Sequence, residues 1–518
     1  MRPLFRRSAA CAAVGAVLLA TAGAGRGEPD ARASAARLQR VLALVSTQFV
    51  DSVSDDSLMT RTARGLVREM GDPYSTLYSP KELAGFDLST RGRYGGLGML
   101  LEAQEGTAVV SRVYPETPAE RAGVLEGDQV VAVGALPTRG WPLDRLTDSL
   151  RGPEGSQVRV TLRRPGAATP VERAFTRAVV HLPAVPFAAR LTAGVGYVPL
   201  QQFSDQSAHE TRRAVQALVA AGARGLVLDL RGNPGGLVDQ AVDVAGLFLP
   251  MGTDVVQVRT RGTGVQMVQT TAEPAIAADL PVAVLVDGGS ASAAEIVAGA
   301  LQDHDRALVV GARSFGKGLV QSMFPLDGGY ALKLTTARWH TPLGRALHRP
   351  RTHADSAAVD TAARRARPTV RTAQGRLLAA DGGVTPDVLV PDDTAAAPGL
   401  RTLGRAVGQR GEVLARVLGE LTFEYTRQTT PDGAVPPAWR AELVRRLRAG
   451  GVALSPAAAD SAGPALDRLL ATRLLRRAYG DSAVARRYYG EDAALRTAVA
   501  RLERASTTLA LLAPATGG

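Results

Sequence analysis

The chain has almost no cysteine: the only one among its 518 residues is Cys11, close to the N-terminus. A single thiol at that position excludes disulfide bonds and thiol catalysis for the rest of the chain. Histidine is also scarce, and none of the six histidines has the spacing of a metal-ligand set. The sequence therefore predicts no metal site.

Lysine is nearly absent as well. Of the 61 lysines and arginines, only Lys81, Lys317 and Lys333 are lysines. Arginine keeps its proton in proteins, whereas a buried lysine can lose it, so each lysine is a candidate base. A compositional preference for arginine explains the same scarcity, and composition alone does not decide between the two interpretations.

The charge distribution argues against nucleic acid as a partner. The net charge is +12 and the sequence pI is about 10.3, but the arginines are spread among Asp and Glu and form no basic block. Proteins that bind nucleic acid concentrate positive charge on one face or segment. We therefore expect no nucleic-acid partner.

The N-terminus has the order of a secretory signal. Three arginines within the first seven residues precede an uncharged run over 8–25 that ends in small residues. We predict a signal peptide over 1–26 and an exported protein in the periplasm or cell envelope. An uncleaved N-terminal membrane tether is the alternative, although the run is rich in Ala and Gly and barely long enough to span a bilayer.

The hydrophobic periodicity changes along the chain. Helical spacing over 31–88 gives way to short strands over 89–178, and then to alternating buried strands and helices over 179–395. Such alternation predicts an α/β layer architecture. An Arg/Ala-rich insertion, 349–383, is predicted to be a loop, and 396–518 has the pattern of amphipathic helices.

One serine follows a buried strand directly. The strand PVAVLVD (Pro281–Asp287) runs through a glycine turn into GGSASAAE, which begins a helix. Ser292 there meets unpaired backbone N–H groups that would stabilise an oxyanion, as acyl transfer requires. The same residues fit a capping box, in which Ser292 caps the helix and Glu295 bonds back to it. These residues alone leave cap and nucleophile equally open.

Lys317 is a candidate for the base that a nucleophilic serine needs. A serine hydroxyl attacks after a base takes its proton, and desolvation in the glycine-lined loop GARSFGKG would lower the pKa of Lys317. This loop follows the next strand after the helix of Ser292, so right-handed crossovers can bring both to one sheet edge. Gln321 lies four residues further, about 13 Å along an extended strand, and would reach Lys317 only across a bend at Gly318.

A glycine turn follows another buried strand in LVLDLRGNPGG (Leu226–Gly236). Paired glycines let the backbone approach a ligand and present N–H groups to it. An ordinary strand-to-helix turn would have the same sequence, and the motif by itself favours that interpretation.

Together these motifs resemble the carboxy-terminal processing peptidases, also called tail-specific proteases. The segment VLVDGGSASAAEIVAGALQDHDRALVVGARSFGKGLVQ carries the likeness, with DPYS, GLG, DLRGNPGG and GVTPDV. The resemblance extends from Leu38 to about Val390. It implies an α/β (α+β) serine endopeptidase without a cofactor: a core of repeated β/β/α units in 179–395, an inserted PDZ domain in 89–178, an N-terminal helical segment in 31–88 and a C-terminal helical extension.

The family pattern transfers to three side chains of this sequence. The second Ser of S-A-S-A is the family nucleophile and matches Ser292. The family base lies 25 residues later, which is the interval to Lys317 here. The family glutamine that orients the amine matches Gln321.

The resemblance also implies two sets of backbone donors. The oxyanion hole would use the N–H of Ala293 and that of one paired glycine, Gly235 or Gly236. A PDZ loop would offer N–H groups to a substrate's C-terminal carboxylate, and an edge for strand addition. The residues of that loop are Tyr94, Gly95, Gly96, Leu97, Gly98 and Met99.

The expected partners are protein or peptide substrates with accessible C-termini. A non-catalytic PDZ scaffold and a small-ligand binder on the same fold are the alternative classes. The chain departs from the family at Ala294, where the family often has Ser, and in the length of the 349–383 insertion. Residues 396–518 lie outside the resemblance, and both homo-oligomer formation and adaptor docking are open for them.

Overall fold

The computed structural model describes residues 28–104, 106–164, 167, 169–261, 264–269, 273–350, 368–391, 398–408 and 410–513. The predicted signal peptide lies outside them. The chain divides into two compact units, Met1–Met70 and Gly71–Gly518. The first contains the two predicted helices, α1 (Glu28–Gln48) and α2 (Asp55–Glu69).

An antiparallel sheet with a short helix packed on it forms the early part of the second unit. Its strands run in the order β3-β4-β5-β7-β8, with β6 beside β5, and the apolar face of α5 packs on their core. The elements up to residue 181 are β1 (Thr76–Tyr78), α3 (Pro80–Arg91), β2 (Arg93–Gly96), β3 (Met99–Gln104), β4 (Thr107–Val113), α4 (Pro118–Arg121), β5 (Gln129–Val133), β6 (Leu136–Pro137), α5 (Leu143–Leu150), β7 (Gln157–Arg163), β8 (Val171–Thr176) and β9 (Ala178–His181).

Within the predicted short strands of 89–178, the stretch 94–102 forms two strands that belong to two sheets. β2 pairs with β9, whereas β3 pairs with β4. The chain turns between them at Gly98, whose φ of 83° is readily available only to glycine. A Cβ at this position would also lie 2.2 Å from the Cβ of Thr117.

A mostly parallel sheet forms the centre of the second unit. Its order is β10-β11-β12-β15-β16-β21, with only β10 antiparallel to its neighbour. Its central strands are buried at every position because helices cover both faces, which confirms the predicted α/β core. Its elements are β10 (Ala189–Arg190), β11 (Val195–Pro199), α6 (Ser207–Ala220), β12 (Gly225–Asp229), α7 (Val238–Gly246), β15 (Val282–Val286), α8 (Ala293–Asp303), β16 (Ala307–Gly311) and β21 (Val388–Leu389).

A second sheet lies beside this core. Sequence reasoning missed its strand β1 and also a separate two-stranded hairpin. The order of the second sheet is β1-β18-β13-β14, with β17 on β18, and its strands are β13 (Asp254–Thr260), β14 (Gly264–Gln269), β17 (Leu319–Pro325) and β18 (Ala331–His340). β1 falls inside the predicted helical segment, and its three residues are too few to show a period. The predicted 349–383 loop contains the hairpin of β19 (Thr369–Arg371) and β20 (Leu377–Ala379), whereas residues 351–367 lie outside the described residues.

Helices form the C-terminal part, as predicted. They are α9 (Pro398–Val407), α10 (Gly411–Tyr425), α11 (Pro437–Ala449), α12 (Pro456–Tyr479), α13 (Asp481–Tyr488), α14 (Ala493–Arg504) and α15 (Thr508–Leu512). Helices α9 to α12 share a hydrophobic core of their own, whereas α14 and α15 pack on the parallel sheet. Among the described helices, none has the length and apolarity needed to cross a membrane.

Candidate active site

Ser292 stands at the junction of β15 and α8 in an unfavourable backbone conformation. Its φ is 56° and its ψ is −116°, a combination that costs energy for a residue with a side chain. Such strain persists when surrounding contacts over-determine it, and it is typical of functional positions. The side chain is half-buried.

Glu295 supplies those contacts. Its carboxylate is fully buried and accepts a hydrogen bond from the Ser292 N–H at 2.9 Å, which is the back-bond of the predicted capping box. It also accepts bonds from the Ser314 hydroxyl (2.5 Å) and from the N–H groups of Gly316 (2.7 Å) and Lys317 (2.8 Å). Burial raises the pKa of Glu295, and these hydrogen bonds oppose that rise. One carboxylate thus joins the serine turn to the lysine loop, a link that the sequence did not reveal.

The Lys317 amine lies in a sheltered position. Burial lowers its pKa below the ordinary value, and the nearby charge of Lys333 lowers it further, while Glu295 and Asp72 oppose the shift. The Nζ atom is 5.1 Å from the centre of the Tyr74 ring. Within the described part of the chain, no hydrogen bond or ion pair from the Lys317 ammonium is found. Desolvation of this kind disfavours the charged form of a lysine.

The DPYS motif holds Tyr74 in this place. Asp72 accepts hydrogen bonds from the Tyr74 N–H (3.1 Å) and the Ser75 hydroxyl (2.5 Å), and the Ser75 oxygen accepts one from the Thr335 N–H on β18 (3.0 Å). Burial acts to raise the pKa of Asp72, but hydrogen bonds from the hydroxyls of Ser75 and Thr335 and from backbone N–H groups prevail and lower it. Sequence reasoning treated this motif only as part of the family resemblance, and so missed Tyr74 as a neighbour of the lysine.

The paired-glycine turn closes against the start of α8. A Cβ at Gly235, where φ is 98°, would lie 2.7 Å from the Ser292 Cβ and 3.0 Å from the Ala293 nitrogen. Only glycine permits this approach. The Gly235 N–H already donates to the Asn233 side chain at 2.9 Å. Among the described residues, the N–H groups of Gly236 and Ala293 have no acceptor.

The flanking serine of the S-A-S-A pattern, Ser290, and the predicted Gln321 occupy different surroundings. Ser290 is fully buried, and its hydroxyl donates to the Leu230 carbonyl at 2.8 Å and accepts from the Asp287 N–H at 2.9 Å. Gln321 lies on β17 next to a bulge, and its amide donates to the Thr335 hydroxyl at 3.4 Å. The structure describes no hydrogen bond between Gln321 and Lys317, so the orienting role of Gln321 stays a prediction.

The predicted PDZ loop borders a groove between β3 and α5. The groove has a volume of about 500 Å³ and includes Tyr94, Leu97, Gly98 and Met99 from the loop. Gly95 and Gly96 lie in β2 and pair with β9 instead. Apolar side chains of α5 form the opposite wall, and the Arg151 guanidinium lies 5.3 Å from the Tyr94 ring centre. Arg151 brings a positive charge to this groove that the sequence did not single out.

Two family models match the chain. The model of Peptidase family S41 matches residues 194–358, which contain the predicted serine, lysine and glutamine, and a PDZ domain model matches residues 109–164. The second match lies within the antiparallel sheet of β3 to β8.

Curated relatives match at similar levels. The carboxy-terminal-processing protease of Bartonella bacilliformis is 35% identical over 316 residues, which cover 60% of this chain and 72% of that protein. The carboxyl-terminal-processing protease of Synechocystis sp. is 36% identical over 291 residues, which cover 55% of this chain and 67% of that protein. A solved photosystem II D1 C-terminal processing protease is 27% identical, covers 72% of this chain and 90% of its own, and has a TM-score of 0.39.

The chain is therefore a serine-type peptidase with a PDZ domain, which selects one of the three classes that the sequence left open. It belongs to the carboxy-terminal processing protease family, within Peptidase family S41.

Proposed function

We propose that the peptidase binds the C-terminal tail of a protein substrate in its PDZ groove and cleaves a peptide bond with Ser292 and Lys317. The observation that carries this proposal is the shared carboxylate of Glu295, which holds the backbone of both residues at once. The lowered pKa of Lys317 and the strained backbone of Ser292 support it.

In the proposed reaction, neutral Lys317 takes the hydroxyl proton of Ser292 as the oxygen attacks the peptide carbonyl. The N–H groups of Ala293 and Gly236 hold the resulting oxyanion, because the Gly235 N–H already has an acceptor in Asn233. The ammonium of Lys317 then protonates the leaving amine. Water hydrolyses the acyl-enzyme, with Lys317 taking a proton from the water and returning one to the Ser292 oxygen. Gln321 would orient the amine.

The groove favours a tail with an apolar end. Leu97, Met99, Leu101, Leu143 and Leu150 line it, and burial of apolar side chains is the main source of affinity in such grooves. Backbone N–H groups of the loop and the charge of Arg151 would receive the terminal carboxylate.

The test compares wild type with Ser292→Ala and Lys317→Ala on an unfolded reporter protein that ends in a free apolar C-terminus. Both variants should lose at least about 10³-fold in kcat, and a Lys333→Met variant serves as the lysine control. The same reporter with an amidated C-terminus should be cleaved slowly by the wild type. Cleavage by Ser292→Ala at the wild-type rate would exclude the proposed nucleophile.

We further infer export from the signal-like segment 1–26. N-terminal sequencing of the protein isolated from its native cell should give a start near residues 22–27. A start at residue 1 in a membrane fraction would indicate the tether instead.

Size measurements of the purified chain distinguish a homo-oligomer from a monomer that awaits an adaptor.

A further inference from the structure

The C-terminal extension supplies one layer of the protease core. The S41 match ends at residue 358, yet one face of the parallel sheet packs on helix α14, far beyond that point. Buried residues of the sheet such as Val227 and Leu285 share a hydrophobic cluster with Leu495 and Leu502 of α14. A Cβ at Gly225 would lie 3.1 Å from the Leu502 side chain, so helix and sheet are closely packed.

Helix α14 begins at a residue that also reaches the candidate site. Asp492 is its N-cap and accepts a hydrogen bond from the Leu495 N–H at 3.0 Å. The same carboxylate accepts a hydrogen bond from the Arg231 guanidinium at 3.0 Å, and the closest approach of the two charges is 2.8 Å. Both side chains are mostly buried, with 30% and 25% of their surfaces exposed, so solvent screens this pair less than a surface pair.

Arg231 is the first residue of the paired-glycine turn. Its guanidinium is bound on its other side by Asp229, at the end of β12, with contacts of 2.7 and 3.0 Å. Asp229 in turn accepts a hydrogen bond from the buried Tyr197 hydroxyl at 2.9 Å. The two carboxylates therefore hold Arg231 from the sheet and from the extension at the same time.

We infer that Asp492 is a positioning residue for the peptidase reaction: through Arg231, it holds the turn that carries Gly235 and Gly236 against Ser292. The inference rests on the proposed function, since it assumes that this turn forms part of the oxyanion hole. It assigns a role to the extension, which is to fix one element of the site from outside the matched protease region. A sub-ångström displacement of an oxyanion donor affects kcat more than KM, because the oxyanion forms only in the transition state.

Three substitutions separate this role from simple stabilisation of α14. Asp492→Asn keeps a good N-cap but removes the charge that holds Arg231. Asp492→Glu keeps the charge but replaces the N-cap by a poorer one. Asp481→Asn is the matched control, because Asp481 is an acid of the same extension that pairs with Arg112 of the PDZ region, away from the turn.

We expect Asp492→Asn to lower kcat on the unfolded reporter about 3- to 10-fold with KM unchanged. Hydrogen exchange in the first turn of α14 should stay as in the wild type. Asp492→Glu should recover most of the lost kcat while the exchange of that turn becomes faster. Asp481→Asn should leave kcat within about 2-fold of wild type.

The inference is overturned if Asp492→Asn keeps the wild-type kcat while Ser292→Ala is inactive, a result that leaves the proposed function intact. It is also overturned if kcat falls only in variants with faster exchange in α14, because the role of Asp492 is then that of a helix cap. Activity in Ser292→Ala would remove the proposed function and this inference together.

Discussion

Lys317 and Lys333 are both candidate bases by residue type, yet their surroundings differ. Each has its Nζ atom about 5 Å from an aromatic ring centre. Lys333 also donates a hydrogen bond to the Tyr78 hydroxyl at 2.8 Å, whereas the described residues offer Lys317 no such partner. The comparison teaches that two lysines with similar ring contacts differ in their polar partners, and this difference makes Lys317 the better candidate base.

The different backbones explain the difference. Lys333 is part of the regular strand β18, where it pairs with Thr76 of β1. Lys317 lies in a loop between two glycines that the packing requires. A Cβ at Gly318 would lie 2.8 Å from the His348 nitrogen, and Gly316 has a φ of 86° and would bring its Cβ 2.9 Å from the Arg349 Cβ. The glycines let this loop pack tightly against residues 348 and 349.

The largest expected effect comes from replacing Lys317 by arginine, with the same replacement of Lys333 as the comparison. Lys317→Arg should lower kcat by at least about 10³-fold, because arginine keeps the charge but does not release its proton. Lys333→Arg should retain activity to within about 10-fold, since the donor to Tyr78 remains. Steady-state kinetics on the same reporter checks both. Equal losses in the two variants would remove the distinction between the two lysines.

The pH dependence sharpens the same comparison. If neutral Lys317 is the base, kcat/KM should rise tenfold per pH unit below the pKa of this lysine and level off above it. Because burial lowers that pKa, the plateau should begin below the ordinary value of 10.5. The profile of Lys333→Arg should have the same shape. A rate that falls with rising pH across this range would contradict the assignment.

A smaller effect concerns stability. The folded protein lowers the pKa of Lys317, so between that pKa and 10.5 the unfolded chain binds more protons, and stability rises with pH in this window. At pH values below this window, the free-energy cost of burying the Lys317 charge is fully present. Lys317→Met should therefore raise the free energy of unfolding by about 1 kcal/mol at neutral pH, and the gain should shrink as the pH approaches 10.5. Denaturant titrations at several pH values measure it, and a loss of stability at neutral pH would argue that the amine is well solvated.

The smallest expected effect belongs to Gln321. Its amide donates to Thr335 at a long 3.4 Å, so Gln321→Ala should lower kcat by roughly 2- to 5-fold through a less well-oriented amine. Thr335→Val removes the acceptor for Gln321 and is the matched variant. An effect as large as that of Lys317→Arg would mean that Gln321 touches the reacting atoms in the substrate complex.

Much of the fold could be predicted from local pattern. Alternating buried strands and helices predicted the α/β core, and the helices of the C-terminal part followed from their amphipathic spacing. The three residues of β1 could not be found in this way, because a strand this short is stabilised by its partner β18 and has no period of its own. The division at Gly98 was missed because a strand pattern continues on both sides of the turn.

The candidate site, like the fold, could be predicted from the sequence only in part. Ser292, Lys317 and the paired glycines were predicted from motif, spacing and family resemblance, and their roles stay predictions. The Glu295 hydrogen bonds to Gly316 and Lys317 join positions more than 20 residues apart in the chain, and no local rule anticipates them. The contact of Tyr74 with Lys317 is still more distant in sequence.

The sequence by itself determined the family, the chemical types of the candidate reacting groups and most of the order of helices and strands, because these depend on local composition and spacing. Among the described residues, only the tertiary structure showed which paired glycine has a spare N–H and which lysine lacks a polar partner. It also brought Asp492 to Arg231, 261 residues away along the chain. The physical reason is that desolvation and hydrogen-bond satisfaction are properties of assembled surfaces, to which residues remote in sequence contribute as much as neighbours do.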